Sequence, residues 1–344
     1  MAPIVETRGL TKRYGGTLAL DHLDLEVPEG AVYGFIGPNG AGKTTTMRIL
    51  TGLLRPTSGE AWVAGHEVTR EQRRVRGLVG WMPDSFGVYA NMKAWEYLDF
   101  FAASYGLRYE RRRQLIGELL DLVDLSHKRD AYVMGLSRGM KQRLSLARTM
   151  AHDPSLLILD EPASGLDPRA RIELRELLKE LRALGKTIMI SSHILTELAE
   201  MCTHIGIIET GRLLVNGEVG DVLRSLQPHK VVEVRVLGDP ERAAELLRPL
   251  AGVRDVRVIT PVGDAALPTR GEELALPSGT EMLVEQLVPV EAASPLIVDF
   301  AGDQRGLSEL LHALAYAGVP VVHFAEQASD LEDIFMQVTR GATQ

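Results

Sequence analysis

The chain has 344 residues, 45% of them apolar and 24% charged, which is the balance of a folded protein long enough for two domains rather than a disordered one. Its formal net charge of −8, with no clustered basic face, argues against nucleic acid as the main partner, because such binding rests on phosphate neutralisation. A single cysteine, Cys202, excludes an intrachain disulfide, no apolar run reaches the length needed to span a bilayer, and no signal peptide is expected ahead of Val5.

In chain order, extended segments are expected near Ile4 to Thr7 and Leu18 to Val27. The apolar run Ala31 to Ile36 reads as a buried strand and Lys43 to Leu50 as a helix. Between them stands Gly37-Pro38-Asn39-Gly40-Ala41-Gly42-Lys43-Thr44, followed by Thr45. A G-x-x-x-x-G-K-T run that leaves a strand and opens a helix is a phosphate-binding loop. Its glycines let backbone N–H groups point into one concavity and the helix start adds a positive end. Lys43 reaches the outer phosphates, and the Thr44 hydroxyl can ligate Mg²⁺.

Asp84 follows the short strand that begins at Val79. Asn91 to about Ala131 reads as mostly helical, with Trp95, Leu98, Phe101 and Ala102 along one face. The basic run Arg108 to Arg113 reads as a solvated face ahead of a helix patterned by Leu115, Leu119, Leu120 and Val123. Ser137 is the N-cap of a helix that continues through Leu144, Leu146, Ala147 and Met150.

The strand Leu156 to Asp160 is apolar until it closes on Asp160 and Glu161. Carboxylates at the C-terminal end of a buried parallel strand face the crevice where ligands bind in α/β sheets. There Asp160 would face Mg²⁺ through its water shell, and Glu161 would orient the attacking water and accept its proton. Solvated acids closing a strand are the plainer alternative. A strand from Thr187 to Ile190 precedes His193, another runs from Ile205 to Ile208, and Cys202 is expected to pack near Leu198 and Met201.

From about Lys230 the elements become short. Val232, Val234 and Val236 alternate in a strand, Glu241 to Leu250 reads as helix and Val253 to Ile259 as strand. The Pro/Gly-rich stretch Pro261 to Pro295 reads as an insertion or mobile loop. Leu296 to Phe300 and Val319 to Phe324 read as strands, Leu307 to Ala317 as a helix, and Ser329 to Thr339 as a closing helix. This layout points to a small α+β ferredoxin-like domain without a catalytic constellation.

Leu136-Ser137-Arg138-Gly139-Met140-Lys141-Gln142, placed shortly before an apolar strand ending in Asp-Glu, resembles the signature motif of the ATP-binding cassette (ABC) family. The resemblance implies an α/β P-loop NTPase cassette over residues 1–222, with an inserted helical subdomain at about 91–150 and the accessory domain at 230–344. It implies ATP and Mg²⁺ as ligands and hydrolysis to ADP and phosphate in a site shared by two chains. Gly37 to Thr45 of one chain would form the cradle, with Thr44 and Asp160 on the metal. Lys43, Glu161 and His193, which resembles the family's switch histidine, would act at the reacting phosphate.

Ser137 and Gly139 would close over the γ-phosphate held by the opposite chain. Ser164-Gly165-Leu166-Asp167 resembles the D-loop that crosses the dimer interface, and Tyr14 matches the aromatic on which adenine stacks. Asp84 occupies the position at which the family carries glutamine. An ionised Asp only accepts hydrogen bonds and repels the γ-phosphate unless Mg²⁺ or a proton offsets its charge, so Asp84 is expected at the metal or at one of its waters.

Phe86, Val88, Tyr89 and Met92 lie where the family receives a coupling helix from its membrane subunit. The implied partners are a second cassette, as a homodimer, and an integral membrane permease in trans, with the protein in the cytoplasm on the inner face of the cell membrane. The tail, with its ending Ser329-Asp330-Leu331-Glu332-Asp333-Ile334-Phe335, is similar to those of ATPase subunits serving type-2 ABC exporters of drugs, polysaccharides or lipids. An importer ATPase with a regulatory tail and a soluble ABC ATPase without a pore are the alternatives.

Overall fold

A computed structural model describes residues 3–84, 87, 91–226, 230–259 and 294–327. These divide into two compact units, the first ending at Leu226 and the second spanning Lys230 to Gln327. The first unit runs β1 (Pro3–Tyr14), β2 (Thr17–Pro28), β3 (Val32–Ile36), α1 (Lys43–Leu50), β4 (Ser58–Val63), β5 (His66–Glu67), α2 (Gln72–Leu78) and β6 (Val79–Met82). It continues through α3 (Ala94–Ser104), α4 (Tyr109–Leu122), α5 (Arg138–Thr149), β7 (Leu156–Leu159), α6 (Pro168–Ala183), β8 (Thr187–Ser192), α7 (Leu195–Ala199), β9 (His204–Glu209), β10 (Arg212–Glu218) and α8 (Val219–Leu226).

The central sheet has the order β10-β9-β3-β8-β7-β6. All its neighbours pair in parallel except the edge hairpin β9–β10. Successive side chains of a strand leave on opposite faces, so a strand covered on both sides must be apolar at every position. In β3, Val32 and Ile36 enter one core and Tyr33 and Phe35 the other. In β7, Leu157 and Leu159 divide from Leu156 and Ile158 in the same way. The first core is closed by α3 to α6 and the second by α1 and the antiparallel sheet β2-β1-β4-β5.

Two expectations need correction. Helix α4 already begins at Tyr109, so Arg111 to Arg113 lie within it rather than ahead of it. Arg112 is also not simply solvated: its guanidinium donates to Asp99 of α3 at 2.7 Å, which pins two helices of the inserted subdomain together. Cys202 packs against the first core, as expected, and burial pushes its thiol pKa well up.

The second unit comprises β11 (Lys230–Val236), α9 (Pro240–Leu247), β12 (Val253–Val258), β13 (Ser294–Phe300), α10 (Gln304–Tyr316) and β14 (Val321–Gln327). Its sheet has the order β12-β13-β11-β14 and is antiparallel throughout. The alternating Val232, Val234 and Val236 turn one face inward onto Leu247 of α9 and Leu310 and Leu314 of α10. This is the ferredoxin-like arrangement. Of the stretch Pro261 to Pro295 expected as a loop, residues 261–293 lie outside the described residues, as does the closing helix expected at 329–339, while Ser294 and Pro295 belong to strand β13 because they pair with Val236 and Arg235 of β11. Among the described residues no helix is long and apolar enough to cross a membrane.

Candidate active site

The site is built on the C-terminal ends of β3, β7 and β8. The loop after β3 is fixed by close packing: a Cβ on Gly37 would collide with the Ile208 carbonyl, and one on Gly42 would lie 2.7 Å from the Ala19 carbonyl oxygen. Gly42, at φ 109°, caps α1 without a side chain, and no acidic residue occupies the first turn. The helix start therefore keeps its unpaired N–H groups and positive end, which is what an anion needs. The Gly37 N–H donates to the Ser192 carbonyl at 3.2 Å and the Gly211 N–H to the Ala41 carbonyl at 2.9 Å, so β8 and the β9–β10 turn hold the cradle.

Lys43 is buried and folds back on this loop. Its Nζ donates to the carbonyls of Gly37 at 2.6 Å and Pro38 at 3.2 Å and lies 3.6 Å from Glu161 Oε1. Burial lowers its pKa, opposed by the charges of Glu161 and Asp160. Thr44 Oγ1 donates to Asp160 Oδ2 at 2.8 Å, and Ser191 Oγ donates to Asp160 Oδ1 at 2.5 Å. Asp160 is only 1% exposed. A hydroxyl and a buried carboxylate beside an anion cradle are the hard oxygen donors that suit Mg²⁺.

Glu161 adopts φ 50°, a left-handed conformation uncommon for a residue with a side chain and found preferentially at functional sites. Its N–H donates to Ser191 Oγ at 2.9 Å, and its Oε2 accepts from His193 Nδ1 at 3.0 Å. Ser191 thus positions both acids at once. Sequence reasoning missed it, although the Ser191-Ser192-His193 run at a strand end was a visible signal.

A cavity of about 450 Å³ is lined by residues 38–45 together with Ala19, Asp84, Arg138, Glu161, Ser164 and His193. Tyr14 does not line it; its half-exposed ring lies under the Lys12 ammonium, 5.2 Å from the centroid. Ser137 and Gly139 line a separate basin of about 230 Å³ with Gly165, Leu166 and Asp167. Ser137 Oγ accepts from the Met140 N–H at 3.2 Å, so it caps α5 as the sequence predicts. Phe86, Val88 and Tyr89 lie outside the described residues, and Met92 packs against the first core.

A family profile described as ABC transporter matches residues 20–164. The chain is 33% identical to Nod factor export ATP-binding protein I of Cupriavidus metallidurans over 98% of both chains. It is 38% identical to daunorubicin/doxorubicin resistance ATP-binding protein DrrA of Streptomyces peucetius, over 77% of this chain and 80% of the relative. Among solved structures, a dimeric ATP-binding cassette in a post-hydrolysis state, bound to ADP and Pi, is 25% identical with a TM-score of 0.57, over 62% of this chain and 98% of that one. With 98% of its length matched by a relative at 33% identity and its cradle and acids arranged as above, the chain belongs to the ABC transporter family, as an ATP-binding cassette subunit that couples ATP hydrolysis to transport through a partner permease.

Proposed function

We propose that this subunit serves a type-2 exporter and works by ATP-dependent pairing of two copies. The convergence of Lys43, Asp160, Glu161 and His193 on the glycine-rich cradle carries the catalytic part of the reading. The exporter part is supported by a match that extends through the second unit to a relative named for Nod factor export, and by one named for daunorubicin/doxorubicin resistance.

In this reading the N–H groups of residues 38–45 bind the phosphates, and Lys43 turns from its carbonyl partners toward the outer ones. Glu161 orients water and takes its proton, while His193 holds the carboxylate and contacts the γ-phosphate. Mg²⁺, when held by Thr44 and Asp160 with Asp84 nearby, would neutralise phosphate charge. Ser137 and Gly139, which line a basin separate from this chain's own cradle, close over the nucleotide of the second copy. Tyr14 is assigned to adenine.

Permease docking is assigned to the surface around Met92. The Val133 N–H donates to the Met92 carbonyl at 2.9 Å, and the flanking Tyr132 and Met134 leave apolar side chains more than half exposed. This docking makes the protein peripheral on the cytoplasmic face. The test is purification of the full-length chain from membranes. A multi-span protein should accompany it, and Met134→Glu should release that protein while ATP binding persists. Recovery of an active ATPase that never associates with a membrane protein would contradict the assignment.

A further inference from the structure

Arg138 stands between Ser137 and Gly139 and has no part in the mechanism above. Its guanidinium lies face-on against Gly165: a Cβ built there would be 2.6 Å from Nη1 and 2.7 Å from Nη2. Gly165 has φ +66°, so the backbone calls for glycine, while a Cβ there would push the exposed Arg138 guanidinium aside. Arg138 borders the nucleotide cavity on one side and the Ser137 basin on the other. It makes no hydrogen bond or ion pair among the described residues, so its contribution there is this flat contact.

The same loop is fastened to α5 at one further point. Buried Gln142 donates to the Pro162 carbonyl. The loop begins at Glu161 with its left-handed backbone, and the Ser164 N–H donates to the Glu161 carbonyl at 3.1 Å. The backbone angle at Glu161 and the turn through Gly165 are therefore set together, and α5 holds both.

We infer that Arg138 is a positioning residue for Glu161. Through Gly165 it locks the 161–165 turn to the start of α5, so seating Ser137 on a neighbour's nucleotide and aligning Glu161 over the chain's own are one movement. The inference rests on the roles proposed above for Ser137 and Glu161. The cradle is held by Ser192 and Gly211, so the loss of Arg138 falls more on the alignment of Glu161 than on nucleotide affinity.

The experiment compares full-length native protein with Arg138→Ala, Arg138→Lys, Gly165→Ala and the Ala/Ala double variant. Steady-state ATPase, equilibrium ATP binding and melting temperature are measured for each. Arg138→Ala is expected to lower kcat about tenfold and to weaken ATP binding by clearly less, because the main loss is of transition-state alignment. Arg138→Lys, which keeps the charge but not the flat fork, stays equally slow. Gly165→Ala displaces the guanidinium, and the double variant is no slower than the slower single change, since both break one contact.

A native kcat in Arg138→Ala, recovery in Arg138→Lys, losses that multiply in the double variant, or a parallel fall in ATP affinity would each overturn the inference. A native protein without ATPase activity would overturn the site reading beneath it. An active native protein matched by Arg138→Ala would overturn only the role of Arg138.

Discussion

Thr44 Oγ1 and Asp160 Oδ2 are joined by a 2.8 Å hydrogen bond, which ties the first turn of α1 to the end of β7 at the two oxygens proposed to hold the metal. Ser191 supports the other carboxylate oxygen from β8. Asp160→Asn keeps the shape but replaces an acceptor with an amide donor that faces a hydroxyl. The Mg²⁺ concentration for half-maximal ATPase should rise at least about tenfold, the scale of a lost interaction around a metal. Asp84→Ala, measured in the same titration, should raise it by less. Native Mg²⁺ dependence in either variant would remove that residue from the metal site.

Glu161→Gln preserves size and leaves Lys43 its carbonyl partners. Hydrolysis should fall by about two orders of magnitude or more, the scale of one group acting in the transition state, while ATP binding remains. Size-exclusion chromatography with ATP should then show a stable pair. Near-native turnover would show that another group serves as the base.

Gly37→Ala and Gly40→Ala separate packing from backbone conformation. At Gly37 a methyl meets the Ile208 carbonyl and lies 2.9 Å from Ile208 Cγ2, so the loop must shift; overpacking of this kind costs about 1–3 kcal/mol. At Gly40 no atom lies within 4 Å, and the cost is the left-handed φ of 84°, about 1–2 kcal/mol. Thermal melts and ATP titration should therefore rank Gly37→Ala as the more damaging for both stability and affinity. The reverse order would contradict the close-packed cradle.

His152 gives the fold an acid-sensitive joint. Its ring stacks on Tyr105 at 4.0 Å, its Nε2 donates to the Val79 carbonyl at 3.0 Å, and burial lowers its pKa from 6.5. Below 6.5 the unfolded chain binds a proton that the folded one resists. The stability contributed by this depressed pKa is thus present above 6.5 and lost as pH falls through the folded value. Melting temperature should drop more steeply from neutral to acid pH in the native protein than in His152→Gln, whose amide can still donate. Parallel curves would exclude the joint.

The strand, loop and helix from β3 to α1 were legible in the sequence because each position there is constrained twice, once by burial on both faces and once by the backbone that phosphate requires. The alternating valines of β11 were legible because one face is covered and the other is not. Strands β4 and β10 escaped notice. In β4 only Ala61 and Val63 are buried, and β10 is an edge strand with alternating half-exposed and exposed residues, so neither has a continuous apolar run. The roles of Ser191 and Arg138 were not legible for another reason: a hydroxyl or a guanidinium gains its role from whatever the fold places opposite it, so the Ser191-Ser192-His193 run marks a place without naming a partner. Ser137 was legible as a cap, but its separation from the chain's own cradle is a property of the folded chain alone.

The central claim is that one ATP is held by the cradle of one copy and covered by Ser137 of another. Mixing two inactive full-length variants, Lys43→Ala and Ser137→Glu, tests it most directly. In a mixed pair one site regains both native residues and the other carries both changes, so with half the pairs mixed at equal ratio, ATPase should recover to about a quarter of the native rate. Absence of recovery at every ratio, in mixtures shown to form mixed pairs, would contradict the shared site.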